Sequence, residues 1–339
     1  MTARYERVLL AHGGGGSLSG TLIREIFLPA FRNEALACLA DAAVLPPMRP
    51  GAGFAFTTDS YVISPPFFPG GDIGRLAVAG TVNDLAVSGA EPLYLACSFV
   101  LEEGFLIADL QRIAASMAAT ALEAGIVVVT GDTKVVERGA ADGIFITTAG
   151  VGVLRDLPPG WGVPQPGDAV LVNGTLGDHG FAVLAAREGL GFSTTLQSDC
   201  APLGGIIEDL FSAGIRLRFL RDATRGGLAA ILNELVTGKR WGVCLRESSL
   251  PLSTGVRSFS EILGIDPLYV ANEGKFVAVV APEDAGRALD LMRAHPLGRQ
   301  AAVVGRIEGS IGGLVTMTTG LGAQRIVHMP LGEQLPRIC

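Results

Sequence analysis

Four aspartates interrupt otherwise apolar stretches of the chain and are the first candidates for chemistry. They are Asp59 in TTDSYV, Asp84 in TVNDLAVSGA, Asp132 in TGDTKVV and Asp222 in RDATRGGL. Burying an unpaired carboxylate is costly, so each must be solvated, hydrogen-bonded or bound to a cation. Mg²⁺ prefers such hard oxygen ligands and bridges one or two carboxylates to substrate phosphates. Together they predict a metal and nucleotide site, although each aspartate taken singly also fits a cap, a turn or an ion pair.

A lysine and a glutamate are candidates for moving protons. Lys134 follows Asp132 by two residues, and Glu273 lies in ANEGKF. When a Lys and a Glu face each other in a closed site, burial and mutual attraction shift both pKa values and allow proton exchange. The sequence leaves their proximity as a hypothesis.

Two glycine-rich segments are candidates for phosphate binding. Gly14 and Gly15 lie in AHGGGGSLSG ahead of a predicted helix, and Gly226 and Gly227 begin another predicted helix beside Arg225. Glycine lets backbone N–H groups approach an anion, and a helix N-terminus adds a favourable dipole. The first segment has neither the dinucleotide-binding nor the P-loop spacing. A flexible linker at the first segment and a tight turn at the second are the alternatives.

The chain ends in LPRIC, so its last side chain is the thiol of Cys339. From Pro330 to Cys339 the tail reaches on the order of 30 Å when extended, at ~3.3 Å per residue. That length allows both an inward, reacting pose and an outward pose offered to partners. Pro336 disfavours a helix or a central strand in the tail. Prenylation of the C-a-a-X kind is excluded because it needs a cysteine four residues from the end, and an incidental terminal thiol is the alternative.

Mixed α/β elements must position these residues. In the first half, apolar spacing predicts helices and strands in alternation. The predicted helices are Leu18–Leu45, Ile73–Gly89 and Ile107–Ala124, and the predicted strands are Gly53–Ser64, Leu93–Leu101, Ile126–Thr133 and Gly143–Val153.

A Pro/Gly-dense segment, Leu157–Asp168, marks a domain junction. Beyond it, strands are predicted at Ala169–Gly174, Lys275–Val280, Ala301–Ile307 and Gly313–Thr319, and helices around Phe181, at Gly226–Leu235 and at Glu283–Ala294. We therefore predict a domain of residues 1–157, a second domain of residues 158–329 and a tail of residues 330–339.

Composition narrows the classes of function. The 339 residues carry a net charge of -7 and contain no Lys/Arg-rich run, which argues against nucleic acid or anionic lipid as a partner. No segment approaches the ~20 apolar residues of a bilayer span, and the N-terminus lacks a secretory signal, so a soluble cytoplasmic protein is predicted. The scattered cysteines and histidines argue against a zinc enzyme, and the absence of G-x-S-x-G argues against a serine hydrolase.

Several motifs together resemble the HypE family of hydrogenase maturation proteins, carbamoyl dehydratases in the superfamily of aminoimidazole ribonucleotide synthetase. These motifs are HGGGGS, FFPGGDIGRLAVAGTVNDLAVSGAEP, VVTGDTKVV, DATRGGL, NEG and the terminal PRIC. The resemblance runs from about His12 to Cys339. It implies a PurM-like fold of the α/β plus α+β class: an N-terminal domain that forms a shared β-barrel in a homodimer, a C-terminal α+β sandwich and a flexible C-terminal tail. ATP and Mg²⁺ are the implied cofactors.

The resemblance also implies a reaction. A HypF-type carbamoyltransferase would load a carbamoyl group onto Cys339, this protein would dehydrate it to a thiocyanate with ATP, and a HypC–HypD complex would receive the cyano group for the iron of [NiFe]-hydrogenase. By matching motif positions, the catalytic residues are Cys339, Glu273 and Lys134, with Glu273 as the first candidate for the base. The implied metal and nucleotide residues are Asp59, Asp84, Asp132 and Asp222, with Gly14, Gly15, Gly226 and Gly227 on the nucleotide.

Two other functions stay open at the level of sequence. One is another PurM-like ATP-dependent phosphotransferase that acts on a free small molecule, of the selenophosphate synthetase or thiamine phosphate kinase type. The other is a nucleotide-gated maturation scaffold without chemistry of its own.

Overall fold

Two β-sheets organise the chain. The computed structural model describes residues 5–12, 17–37, 51–187, 195–330, 335 and 337–339. A four-stranded sheet lies between Phe54 and Leu154, and a seven-stranded sheet lies between Ala169 and Ile326. The predicted mixture of helices and strands is confirmed.

The first sheet is open within one chain. Its strands and a small hairpin are β1 (Phe54–Tyr61), β2 (Phe67–Phe68), β3 (Gly71–Asp72), β4 (Ala90–Glu102), β5 (Val127–Val136) and β6 (Ile144–Leu154). The sheet order is β1-β6-β4-β5, and the hairpin of β2 and β3 stands apart. Strands β4 and β5 are parallel, whereas β6 is antiparallel to β1 and β4. In the described part of the chain, β1 and β5 form the two edges and no barrel closes.

One helix of the first half is buried almost throughout. The helices here are α1 (Ser17–Leu22), α2 (Leu28–Ala30), α3 (Glu34–Ala37), α4 (Ile73–Val87) and α5 (Ile107–Glu123). The Asp72 carboxylate caps α4 by accepting hydrogen bonds from the N–H groups of Gly74 (2.7 Å) and Arg75 (3.0 Å), as expected of an N-cap aspartate. Helix α4 packs on β1, β4 and β6 on one side and on the second half of the chain on the other.

The predicted helix Leu18–Leu45 is wrong in its middle. Helix α1 continues through a π-helical turn, Ile23–Phe27, into α2 and ends at Ala30. Asn33 then starts α3, because its Oδ1 accepts from Leu36 N–H (2.9 Å) while its Nδ2 donates to Phe31 O (2.7 Å). An Asn side chain that bonds the local backbone in this way favours a cap over a helix interior. Residues 38–45 of the prediction lie outside the described residues.

The second sheet is covered on both faces. Its strands are β7 (Ala169–Val172), β8 (Leu217–Asp222), β9 (Gly242–Arg246), β10 (Phe276–Val280), β11 (Ala302–Glu308), β12 (Val315–Thr318) and β13 (Gln324–Ile326), in the order β13-β12-β9-β11-β7-β10-β8. The helices of this half are α6 (Asp178–Ala186), α7 (Gly204–Ser212), α8 (Gly227–Val236), α9 (Thr254–Leu263) and α10 (Ala285–Ala294). Helix α8 packs on one face and helices α7 and α10 on the other. Strands β7 and β10 therefore read as unbroken apolar runs.

Asn83 of α4 joins the two halves through hydrogen bonds. This buried side chain donates from Nδ2 to Ala201 O (3.1 Å), and its Oδ1 accepts from Leu203 N–H (2.7 Å). A buried amide satisfied on both sides fixes the relative position of the groups that it bonds. The next residue, Asp84, is thereby held at the junction of the halves.

Gly80 is the point where α4 lies closest to β1. A Cβ at Gly80 would lie 2.3 Å from the hydroxyl oxygen of the buried Tyr61. We predict that Gly80→Ala lowers the free energy of unfolding by about 1–3 kcal/mol, because helix or ring must shift in a packed core. Urea unfolding of the purified protein measures this difference.

Gly286 provides the matched control. It lies in α10, and a Cβ there would have no neighbour within 4 Å, so Gly286→Ala is expected to leave the free energy of unfolding unchanged or to raise it by up to about 1 kcal/mol. Equal effects of the two substitutions would show that the close approach of α4 to Tyr61 is unimportant.

Candidate active site

Carboxylates from both halves of the chain converge where α4 meets the second sheet. Asp59 comes from β1, Asp84 from α4, Asp222 from the end of β8 and Glu273 from the loop before β10. Thr57 Oγ1 donates to Asp84 Oδ2 (3.0 Å), which ties α4 to β1 at this point. An open pocket of about 410 Å³ is lined by Asp84 and Asp222 among others. The structure thus brings together three of the four predicted aspartates and the predicted base.

Burial and mutual repulsion raise the pKa values of Asp84, Asp222 and Glu273. Burial raises the pKa of Asp222 to about 7, and the negative charge of Asp84 adds to the shift. Burial, and then Asp222, Asp199 and Asp59, raise the pKa of Glu273 well above its usual range, while Arg225 opposes them. Carboxylates gathered without sufficient positive charge hold protons more tightly in this way. The cluster therefore favours a cation.

The donor set fits Mg²⁺ in chemistry, although not as a preformed cage. In the part of the chain that the structure describes, no three His, Cys, Asp or Glu side chains are arranged to hold one metal ion. Mg²⁺ keeps several waters and uses one or two carboxylates with substrate phosphates. Asp59, Asp84 and Asp222 supply hard oxygens of this kind, and the nearby Arg221 and Arg225 offset the repulsion within the cluster only in part.

The backbone of Glu273 is fixed by a hydrogen bond, whereas one of its carboxyl oxygens has no hydrogen-bond partner among the described residues. Its N–H donates to Asp199 Oδ1 (3.1 Å), and Lys275 Nζ bonds Asp199 Oδ2 (2.9 Å). The side chain is buried, and Glu273 Oε1 has no hydrogen-bond partner among the described residues. An orphaned buried oxygen of this kind needs an explanation such as a catalytic role.

Asp132 and Lys134 lie on the other face of the first sheet, which we call the outer face. A row of paired residues crosses that face: Ser60, Thr147, Ser98 and Asp132. Asp59 belongs to the adjacent row with Thr148, whose hydroxyl contacts Thr81 of α4. Successive residues of a strand point to opposite faces, and the edges are about 14 Å apart at the usual strand spacing. Within one chain, the structure therefore does not bring Asp132 and Lys134 to Asp59 and Glu273.

Lys134 and Asp132 instead bond each other. Lys134 Nζ lies 2.6 Å from Asp132 Oδ2, and the two side chains are 63% and 58% exposed. The Lys134 ammonium lowers the pKa of Asp132. Such an exposed ion pair contributes little to stability.

Gly226 and Gly227 form a tight turn. Their φ angles are 75° and 58°, and a Cβ at Gly227 would lie 2.6 Å from the carbonyl oxygens of Leu268 and Val270. Glycine is thus required by the backbone at this turn, and a role in phosphate binding stays a prediction. Gly14 and Gly15 lie outside the described residues.

The last three residues are docked against the molecule, with Ile338 buried and its two neighbours half-buried. Val62 N–H donates to Cys339 O (3.2 Å), and Ser64 N–H donates to Arg337 O (3.3 Å). Ile338 is buried in the core cluster that also contains Tyr61, and Cys339 packs against this cluster. The terminal cysteine therefore lies at the exit of β1, the strand that carries Asp59.

Sequence reasoning missed two residues at this place, His179 and Asp199. His179 is fully buried on α6 and contacts both the tail and Ser198. His179 was missed because it has no metal-ligand spacing to other histidines or cysteines. A lone His in an apolar helix can also indicate a buried hydrogen bond. Asp199 sits in QSDCAPL, a segment without regular structure, and no periodic pattern marks it.

Two family models match most of the chain. The model described as AIR synthase related protein, N-terminal domain, matches residues 39–154, and the one described as AIR synthase related protein, C-terminal domain, matches residues 165–316.

The described residues contain no helix that is both long enough and apolar enough to cross a membrane.

Relatives and solved structures match over nearly the full length. The carbamoyl dehydratase HypE of Rhodobacter capsulatus is 52% identical and covers 100% of both chains. A crystal structure of hydrogenase maturation protein HypE in complex with ATP has a TM-score of 0.91 at 45% identity and covers 98% of this chain and 99% of its own. A HypE–HypF complex matches with a TM-score of 0.78 at 47% identity, covering 92% of this chain and 100% of its own. This chain has the same two-domain fold.

The raised pKa of Asp222 predicts how stability depends on pH. Its folded-state pKa of about 7 lies above the ordinary value of 3.8, so its protonation stabilises the fold at low pH and this contribution is lost as pH rises through 7. Asp84, Asp59, Glu273 and Arg221 surround it electrostatically. From pH 6 to pH 8 without divalent metal, the free energy of unfolding should fall by about 1.4 kcal/mol because of this one proton.

Urea unfolding in EDTA at both pH values tests the prediction. Asp222→Asn should remove this part of the pH dependence, whereas Asp290→Asn, a change at an exposed residue of α10, should keep it. An unchanged pH dependence in Asp222→Asn would contradict the assignment.

Proposed function

Because the chain belongs to the HypE family of carbamoyl dehydratases, we propose that it uses ATP to dehydrate a carbamoyl group carried as a thiocarbamate on Cys339. The product is a thiocyanate on the same sulfur, the source of the cyanide ligand for the iron of [NiFe]-hydrogenase. The docked tail carries this proposal, because three tail carbonyls accept hydrogen bonds from Val62, Ser64 and His179. A phosphotransferase that acts on a free small molecule has no need of a terminal cysteine held against the core.

The chemistry follows from the groups on Cys339. The thiocarbamate oxygen is a poor leaving group, and transfer of the ATP γ-phosphoryl group to it, with loss of one N–H proton, converts it into a phosphate ester and releases ADP. Removal of the second N–H proton then expels phosphate and leaves the S–C≡N group. Oxygen, phosphate and both protons are accounted for.

Glu273 is the proposed base. Its unpartnered Oε1 is available to accept a proton, but burial and the neighbouring carboxylates raise the pKa of Glu273, which favours the protonated carboxyl. Positive charge in the cleft is needed to bring that pKa toward neutrality, and Arg225 already acts in this direction. Proton removal by Glu273 therefore depends on cationic groups gathering around it.

Nucleotide binding is proposed at the carboxylate cluster. A HypE crystal structure in complex with ATP supports ATP as the phosphoryl donor. Asp59, Asp84 and Asp222 are proposed to hold Mg²⁺, and the ion would neutralise charge on the phosphates. Asp132 lies away from them within one chain, so its proposed role as a further ligand requires that a second copy supplies it. Gly14, Gly15, Gly226 and Gly227 are proposed to approach the phosphates through their N–H groups.

A homodimer is proposed because, in the part of the chain that the structure describes, the outer face carries exposed apolar side chains at one edge. Phe54 and Phe56 of β1 are 69% and 64% exposed on that face, and exposed apolar patches of this kind mark interaction sites. Two copies joined through their outer faces would form the shared β-barrel. Because Lys134 lies on this face, the partner subunit is the proposed source of the lysine that assists Glu273.

The remaining proposals concern organisation and partners. A HypE–HypF complex structure supports a HypF-type carbamoyltransferase as the enzyme that loads Cys339. A HypC–HypD complex is the proposed acceptor of the cyano group, and the cytoplasm the proposed compartment. The proposed domains are residues 1–157 and 158–329, followed by the tail of residues 330–339.

Intact-protein mass spectrometry tests the reaction. After incubation with the carbamoyl-loading partner and its substrates, a carbamoyl adduct should map to Cys339 and should lose one water only when ATP is added. Cys339→Ala is the control and should carry no adduct. An adduct that persists with ATP, or that maps elsewhere, would overturn the proposal, and a non-enzymatic scaffold would give this persistent adduct.

Lys134→Ala and Glu273→Gln should accept the carbamoyl group but dehydrate it at least about 10²-fold more slowly, as expected for loss of a proton-transfer group. Single-turnover assays of water loss measure the rate, and Lys239→Ala, at an exposed lysine of the second domain, should keep the full rate.

Mixing the two inactive variants tests where Lys134 acts. If the partner subunit supplies Lys134, a mixed dimer contains one complete site, and activity should return after subunit exchange. If both residues act within one chain, the mixture stays inactive, and the dimer proposal for Lys134 fails even though the dehydratase proposal stands.

A further inference from the structure

Three consecutive carbonyls of the docked tail accept hydrogen bonds from described residues, and the middle one accepts its hydrogen bond from a neutral side chain. Main-chain N–H groups of Ser64 and Val62 bind the carbonyls of Arg337 and Cys339, and the Arg187 guanidinium also donates to Arg337 O (3.1 Å). The carbonyl between them, Ile338 O, is bonded by His179 Nε2 at 2.7 Å. The residue before the reactive thiol is therefore fixed by an imidazole.

The hydrogen bonds of His179 define its tautomer. A carbonyl oxygen only accepts, so Nε2 must carry the hydrogen that binds Ile338 O. Nδ1 lies 2.8 Å from Ser198 Oγ, and in the neutral ring it accepts from the serine hydroxyl. Burial lowers the pKa of His179, which agrees with a neutral ring. The ring also packs edge-on against Phe68, with centroids 5.4 Å apart.

The partner of His179 belongs to the segment that holds Glu273. Ser198 N–H donates to Pro69 O (2.8 Å), and its Oγ accepts from Cys200 N–H (3.1 Å), so the hydroxyl is fixed in place. The next residue, Asp199, accepts from the N–H groups of Glu273 (3.1 Å) and Gly274 (3.3 Å). Two adjacent residues thus connect the tail anchor to the buried acid.

We infer that His179 is a positioning residue for the C-terminal tail. The Nε2–H of His179 fixes the Ile338 carbonyl, and Ser198 fixes the imidazole ring relative to Glu273. Without this bond the docked tail would leave a buried carbonyl unsatisfied, which shifts the tail toward release. The docking role stands independently of the reaction, and only its consequence for turnover rests on the proposed function.

Alkylation of Cys339 by iodoacetamide, followed by peptide mass spectrometry on the full-length protein, measures docking. In His179→Leu the alkylation rate of Cys339 should rise about fivefold to tenfold, the effect of losing one buried hydrogen bond. Hydrogen exchange at the Val62 and Ser64 amides, which bind the tail, should accelerate in parallel. His179→Gln retains an N–H donor and should restore most of the protection.

Buried cysteines provide the internal control. Cys97 is buried on β4 and takes no part in the hydrogen bonds of Val62, Ser64, Arg187 and His179 to the tail, so it should stay unreactive if His179→Leu releases only the tail. Reaction of Cys97 together with Cys339 would show general loosening and would contradict a specific anchor. An unchanged Cys339 rate in His179→Leu would overturn the inference directly.

Ser198→Ala is the second variant in case His179→Leu does not fold. It leaves the ring in place but removes the hydroxyl that holds it, so Cys339 alkylation should rise by about twofold to threefold, less than for loss of the whole bond. No change in a folded Ser198→Ala would remove the link to the Asp199 segment. Failure of the wild-type protein to dehydrate a carbamoyl adduct, with normal docking, would count against the proposed function alone.

Discussion

The burial of α4 between the two sheets is the constraint on which the rest of the structure depends. Its apolar faces pack on the first sheet, and Asn83 uses both ends of its amide to bond the backbone of the second half. A buried amide cannot slip along its partners without leaving them unsatisfied. Asp84 follows Asn83 in the sequence, so the packing of α4 also fixes the position of Asp84. The geometry of the carboxylate cluster is therefore determined by core packing.

The second constraint is electrostatic. Packing α4 against β8 and the loop before β10 brings Asp84, Asp222 and Glu273 together. Burial and the repulsion between these carboxylates raise their pKa values. A site that binds a negatively charged nucleotide would not gather acids unless cations joined them. This is why the exposed Lys134 on the outer face matters: in the proposed homodimer, one chain would provide the acids, and the second copy would provide the ammonium from the edge of its own sheet.

Local chemistry made much of this predictable from the sequence. The caps, glycines and apolar spacing of Ile73–Gly89 and Ile107–Ala124 determine α4 and α5 to within about two residues at each end. Strand β8 was missed because LRFLRD carries three charged residues, and α7 because it begins with two glycines, both unfavourable local signals that tertiary packing overrides. Each acid could be identified from its own sequence segment. The face of the sheet on which it lies depends on strand register, and no local sequence pattern predicted that face for Asp132 and Lys134.

The tail adds a constraint that neither domain has alone. A flexible end gains little from any single contact because ordering it costs conformational entropy. Docking is favoured here because several hydrogen bonds form together. Two main-chain N–H groups after β1, the Arg187 guanidinium and the His179 ring all donate to tail carbonyls, and the Ile338 side chain is buried. The tail anchor His179 and the proposed base Glu273 both bond one segment, Ser198 to Asp199. A displacement of that segment would move Glu273 and the Ile338 carbonyl together, so the positions of Cys339 and of the proposed base are set by the same few hydrogen bonds.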